Sequence, residues 1–155
     1  MDEARAVLAS PIGFLALEEN VGALTRIEFL GERAAALAPV SPLLRETAAQ
    51  LAAYFTDPRF CFDLPVRLEG SDFRQKVWST IATIPCGQMI TYAELARRIG
   101  SAPRAVGGAC GANPLPLVIP CHRVVAMNGL GGFNAHKDGV DWLPIKRWLL
   151  AHERA

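Results

Sequence analysis

The chain has 155 residues, 51% of them hydrophobic and 20% charged, with 16 Lys and Arg against 15 Asp and Glu. That make-up describes a globular protein of one domain or two small subdomains, and it excludes disorder, collagen and coiled coil. No apolar run nears the roughly 20 residues of a membrane span, and Met1-Asp2-Glu3-Ala4-Arg5 lacks the plan of a signal peptide, so a cytoplasmic protein without membrane contact is expected. The near-zero net charge hides an asymmetry: residues 1–70 carry 6 basic and 10 acidic side chains, residues 71–155 carry 10 and 5. A basic second half suits a polyanion bound there alone, and it suits a solvated surface equally well.

In chain order, residues 7–30 read as short strands. Val7-Leu8-Ala9 is followed by a turn at Ser10-Pro11-Ile12-Gly13. Phe14 to Leu17 is followed by a turn at Asn20-Val21-Gly22, and then by Leu24 to Leu30. Thr25, Ile27 and Phe29 alternate with Arg26 and Glu28, as in a half-buried strand of a small antiparallel sheet. Ser41 offers an N-cap with Pro42 at the first helical position; Leu44, Ala48, Leu51 and Phe55 then follow at helical spacing up to Asp57-Pro58. This helix is expected to cover the sheet. Residues 1–70 gather no polar cluster suited to catalysis, so their expected duty is structural.

The second half differs in texture. Asp72 with Gln75 predicts a capping box, after which Phe73, Val77, Trp78, Ile81 and Ile84 mark a helix ending at Pro85-Cys86-Gly87. Thr91 with Glu94 opens a short helix that closes at Gly100, and a third begins at Pro103 and runs to about Asn113. Two short helices joined by a tight turn holding a Gly fit a helix-turn-helix, or an αα corner inside any enzyme. The third helix, with Gly107, Gly108 and Gly111 among three alanines, is a poor helix former. It needs missing side chains either for close packing on a neighbouring helix or for close approach of a bulky partner. Small residues led by Arg104 suit a minor groove better than major-groove reading.

Residues 114–120 are apolar and carry three prolines, an extended segment expected to hold Cys121-His122-Arg123 at a pocket wall. The cysteines at 61, 86, 110 and 121 include no Cys-x-x-Cys, and the histidines at 122, 136 and 152 show no ligand spacing, so no zinc site and no other metal is expected. A thiol needs a base or a positive field to become a nucleophile, and His122 and Arg123 are the adjacent candidates. The C-terminal helix, 144 to about 153, ends in His152-Glu153 and supplies a carboxylate that could orient the imidazole.

Ile119-Pro120-Cys121-His122-Arg123-Val124-Val125 resembles the active-site signature of the O6-alkylguanine-DNA alkyltransferases. Residues 87–92, 104–108, 113–114 and 146–153 resemble the same family in the same order. The likeness is strong over residues 71–155 and holds only in general plan over 1–70. It implies an α+β fold: a ribonuclease-H-like sheet and covering helix in 1–70, packed on a winged-helix-like domain with a helix-turn-helix in 71–155. It also implies irreversible transfer of an alkyl group from guanine O6, with O4-alkylthymine as a second lesion class, to Cys121, one event per molecule and without a cofactor.

In that family's pattern His122, through a water, takes the thiol proton with Glu153 behind it. Tyr92 donates toward the guanine ring and helps turn the nucleotide out. Asn113 ties the preceding turn to the active-site backbone. Arg104 enters the base stack, with Ala105, Gly107, Gly108 and Arg123 against DNA, and Val124, Phe133 and Asn134 line the pocket. The implied partner is duplex DNA bearing alkylated guanine, approached through the minor groove by a monomer. Residues 136–142 lengthen the path to the last helix beyond that of many members. One related class of DNA binders has tryptophan at the reactive position, where this chain has Cys121. Two other readings compete: a lesion-binding module without chemistry, and a cysteine hydrolase using Cys121, His122 and Glu153.

Overall fold

The computed structural model describes residues 3–129 and 142–154. Phe133 and Asn134, and the longer path over 136–142 apart from Trp142, lie outside the described residues. The chain divides into two compact units, Met1–Leu68 and Glu69–Ala155.

In the first unit, β1 (Glu3–Leu8), β2 (Phe14–Asn20) and β3 (Ala23–Gly31) form an antiparallel meander in the order β1-β2-β3. Leu17 pairs with Ala6 on one side and Ile27 on the other. Leu15, Ala16 and Leu17 of the central strand are all buried, as expected of a strand covered on both faces. The alternation read for β3 is interrupted: a register shift at Glu18/Glu19 buries Leu24 and leaves Thr25 half-buried, its hydroxyl donating to the Glu18 carbonyl. The β2–β3 turn places Val21 at φ 50° and Gly22 at φ 75°, a left-handed pair that glycine accepts and a β-branched residue resists.

Helix α1 (Pro42–Thr56) begins where the sequence indicates, with the Ser41 hydroxyl accepting from Leu44 N at 3.1 Å and Pro42 opening the first turn. It buries Leu44, Leu51 and Tyr54 and packs on the sheet.

In the second unit, α2 (Asp72–Ile81) is capped one residue earlier than read from the sequence. Ser71, not Asp72, accepts from Arg74 N at 3.2 Å, because a hydroxyl at that position reaches the third amide while Asp72 already lies in the first turn. A two-residue strand, β4 (Ile90–Thr91), leads into α3 (Tyr92–Ile99), which Thr91 caps and Gly100 closes at φ 78°. The Glu94 carboxylate turns outward to Arg97 and Arg98, and these hold it down to a pKa of about 2. After Gly100-Ser101-Ala102 comes α4 (Pro103–Gly111), packed against α2 and α3 and ending two residues short of Asn113. The Trp78 indole, 1% exposed, donates to the Ala109 carbonyl at 2.9 Å and so ties α2 to α4.

Residues 114–120 are not the extended segment expected. Leu117 takes φ 78° and Ile119 N donates back to the Leu115 carbonyl at 2.8 Å, a compact turn whose two ends are both bonded by the Asn113 side chain. A 3-10 turn, Cys121–Arg123, then runs into β5 (Val124–Val125), which pairs in parallel with β4. The last helix, α5 (Leu143–Arg154), packs on that 3-10 turn. No described helix is long and apolar enough to cross a membrane.

Trp78→Phe removes the indole donor while keeping most of the packing. It should cost about 1–2 kcal/mol of stability, read from the urea midpoint.

Candidate active site

The pairing of β4 with β5 sets Tyr92, the residue after β4, beside the turn that precedes β5. Three further elements complete the site: the end of α4, the turn at residues 113–119, and one face of α5.

Asn113, 5% exposed, is the clamp. Its side-chain amide donates to the Ile119 carbonyl at 2.9 Å, and its carbonyl accepts from Leu115 N at 2.9 Å, bracketing the turn from both sides. The Ile119 carbonyl also accepts from Cys121 N at 2.8 Å, so Pro120, at φ −80° and ψ 66°, forms an inverse γ-turn that delivers the cysteine. Cys121 is 3% exposed. Burial pushes its thiol up to about 11, opposed by the Asn113 side chain and the positive charge of Lys146.

His122 is wholly buried, and its Nε2 lies 2.7 Å from Glu153 Oε2 of α5. Burial pulls the imidazole below its ordinary pKa, against the Glu153 carboxylate, which pulls it up. A carboxylate accepts, so Nε2 carries the proton and Nδ1 keeps its lone pair; Nδ1 is buried with no hydrogen-bond partner among the described residues.

Arg123 turns its guanidinium toward Glu153 and the end of α2. Nε donates to Glu153 Oε1 at 2.8 Å, Nη2 to Oε2 at 2.9 Å and Nη1 to the Ile84 carbonyl at 2.6 Å, so the guanidinium is consumed inside the protein.

Lys146 is the residue that sequence reading passed over. It is fully buried, donates to the Val124 carbonyl at 2.8 Å and lies 5.7 Å from the centre of the Tyr92 ring. Burial lowers its pKa to about 8, while the neighbouring Cys121 and Cys110 thiols act to raise it. A signal was available: Ile145, Lys146, Leu149, Leu150 and Glu153 form the buried face of α5, and two charges seven residues apart on an apolar stripe need partners. Tyr92 is half-buried and its hydroxyl is pushed well above the usual phenol range, first by burial and then by the nearby Cys110 and Cys121. Cys110, at the end of α4, is likewise pushed up to about 12. Val124 is fully buried.

Thus Cys121, His122, Glu153, Tyr92, Asn113 and Val124 come together in one region, while Arg104, Ala105, Gly107 and Gly108 lie elsewhere, on α4. Arg104, Ala105 and Gly108 are exposed and Gly107 is half-exposed. A Cβ built at Gly107 or at Gly108 would meet nothing within 4 Å among the described residues, so packing against these requires neither glycine. Among the described residues no three His, Cys, Asp or Glu side chains group as a metal site.

Residues 72–155 match the family model described as 6-O-methylguanine DNA methyltransferase, DNA binding domain. The chain is 38% identical over 154 residues to the methylated-DNA–protein-cysteine methyltransferase of Methanosarcina barkeri, covering 95% of this chain and 94% of that one. To the human protein of the same name it is 37% identical over 169 residues, covering 96% of this chain and 79% of the other. Among solved structures it resembles a Mycobacterium tuberculosis OGT in complex with DNA, at TM-score 0.80 and 37% identity, covering 96% of this chain and 91% of that one. A buried cysteine with its imidazole and carboxylate, on a chain matched along nearly its whole length, places this protein in the methylated-DNA–protein-cysteine methyltransferase family of DNA-repair enzymes.

Proposed function

We propose that the protein repairs duplex DNA by moving one alkyl group from guanine O6 to Cys121, irreversibly and once per molecule. DNA is the partner of residues 72–155. The observation that carries the chemistry is the buried set around Cys121: the Asn113 clamp, Lys146, and the 2.7 Å contact of His122 with Glu153.

The resting thiol is protonated, because burial disfavours its anion. His122 Nδ1 accepts its proton through a solvent molecule, and Glu153 steadies the resulting imidazolium through Nε2. The sulfur anion, beside Lys146, attacks the alkyl carbon in line with the C–O6 bond. As the S–C bond forms, the C–O6 bond breaks and its electron pair returns to the purine, which gains a proton. Tyr92 keeps its proton at neutral pH and donates a hydrogen bond toward the purine, while the proton that the purine gains is the one the thiol gave up, passed on from the His122 imidazolium through solvent. The products are a thioether on Cys121 and normal guanine. A thioether is no leaving group for water, which makes the event final.

Access requires the nucleotide to leave the helix. We read α3 and α4 as a helix-turn-helix in a winged-helix-like unit, with the glycine face of α4 against the minor groove. Arg104, exposed at the leading end of α4, would fill the vacated position in the stack. The three-stranded sheet with α1 is read as the ribonuclease-H-like structural unit. Phe133 and Asn134 complete the pocket beside Val124 in this reading, a cytoplasmic monomer is the acting species, and O4-alkylthymine is a second lesion class.

Mixing the protein with a duplex containing O6-methylguanine should add a single methyl in place of hydrogen, mapped to Cys121 by peptide mass spectrometry and lost in Cys121→Ala. Tight binding without an adduct would instead indicate a lesion-binding module, and repeated turnover of an ester or amide a hydrolase. Lys146→Met removes the positive charge beside the sulfur and should slow methyl transfer by about tenfold for each unit the thiol pKa rises; the rate is read by quenched-flow at neutral pH. Arg104→Ala should slow transfer from duplex DNA far more than from free O6-alkylguanine base, which needs no extrusion; equal slowing would remove the stacking role.

A further inference from the structure

Arg123 is largely buried, and all three of its guanidinium nitrogens donate to groups of the protein itself. Its Nε and Nη2 hold the two oxygens of Glu153 side by side, at 2.8 and 2.9 Å, and its third nitrogen anchors to the Ile84 carbonyl at 2.6 Å. A planar fork fixed at three points leaves the carboxylate one orientation. In that orientation Oε2 alone reaches His122, at 2.7 Å.

We propose that Arg123 is a positioning residue for proton transfer at this site: its fork holds Glu153 so that one oxygen takes His122 Nε2–H, leaving Nδ1 as the acceptor. The inference rests on the alkyl-transfer reading for its catalytic consequence, but the histidine state it specifies exists in the free protein.

The charge matters as well as the geometry. A carboxylate alone beside His122 would favour imidazolium, which has no lone pair for the thiol proton. The guanidinium answers most of that negative charge and itself disfavours a second cation nearby. Among the described residues, the charged groups acting on His122 are Glu153 and Lys146 from α5 and Arg123 from its own turn. The helix α2 side contributes the Ile84 carbonyl, already engaged by Arg123. Of these groups, Glu153 alone pulls His122 toward the protonated form, and Arg123 is the one in direct contact with that carboxylate. Removing it should therefore move the imidazole pKa upward, and a base that must be neutral to act then works only at higher pH.

Histidine labelled with 15N in the full chain reads tautomer and protonation directly, since only residues 122, 136 and 152 are histidines and His122→Gln assigns the relevant signal. The wild type should show the neutral Nε2–H form of His122 through the neutral range. Arg123→Gln should raise its midpoint by about one pH unit and should shift the acidic limb of the pH–rate profile for methyl transfer from O6-methylguanine duplex by the same amount. Arg123→Lys, which keeps the charge but not the fork, should hold the midpoint near that of the wild type, show a mixed tautomer, and slow transfer at every pH. An unmoved His122 midpoint in Arg123→Gln, or slowing by one constant factor across pH, would overturn the proposal. Should Arg123→Gln fail to fold, an unchanged tautomer and rate in Arg123→Lys would overturn it as well. A wild type that accepts no methyl refutes the alkyl-transfer reading alone, because the imidazole titration needs no substrate.

Discussion

A single buried carboxylate organises the reactive half of this protein. Glu153 receives three hydrogen bonds from two consecutive residues, His122 and Arg123, at 2.7 to 2.9 Å. Burying a carboxylate is costly unless its charge is answered and its lone pairs are filled, and here both conditions are met by one 3-10 turn. The same contacts bolt α5 to that turn, and with it the segment carrying Cys121. Lys146, two helical turns earlier on the same face, makes a second fastening through the Val124 carbonyl. The groups held against the His122 imidazole are therefore the same ones that hold the backbone carrying Cys121.

The second requirement is met by backbone rather than charge. Asn113 acts as a double-ended bracket on residues 115–119, and Pro120 turns the chain so that Cys121 N closes on the Ile119 carbonyl. The parallel pairing of two-residue strands then brings Tyr92 alongside. None of these elements is large, but each satisfies polar groups that would otherwise be stranded in the interior. The thiol sits where burial keeps it protonated, which suits the once-only nucleophile proposed above.

Much of this was legible in the sequence. Ser41-Pro42, Thr91 with Glu94 and Gly100 marked helix ends because capping is local chemistry. The heptad around Cys121, with the blocks flanking it, pointed to the cysteine, the histidine and, through its order, to Glu153 and Asn113. What escaped was decided by contacts between distant residues. Arg123 was read as a positive field for the neighbouring thiol and, through the resemblance, as a residue against DNA; its carboxylate partner lies thirty residues on, at Glu153. Lys146 was hidden by the apolar residues around it, although a lysine on the inner stripe of a helix was itself the clue. The turn over residues 114–120 depended on Leu117 adopting a conformation that leucine rarely takes, and no local preference announces that.

The open glycine face of α4 has a consequence for how this protein can be improved or damaged. Side chains at Gly107 and Gly108 would collide with nothing in the described structure, and helix propensity alone would favour alanine there by up to about 1 kcal/mol at each position. The free protein is thus weaker than its own architecture permits, at a place where strengthening it is sterically trivial. A search for thermostable variants that screened only for folding would fill those two positions first, and would close the ground that any closely approaching partner must occupy.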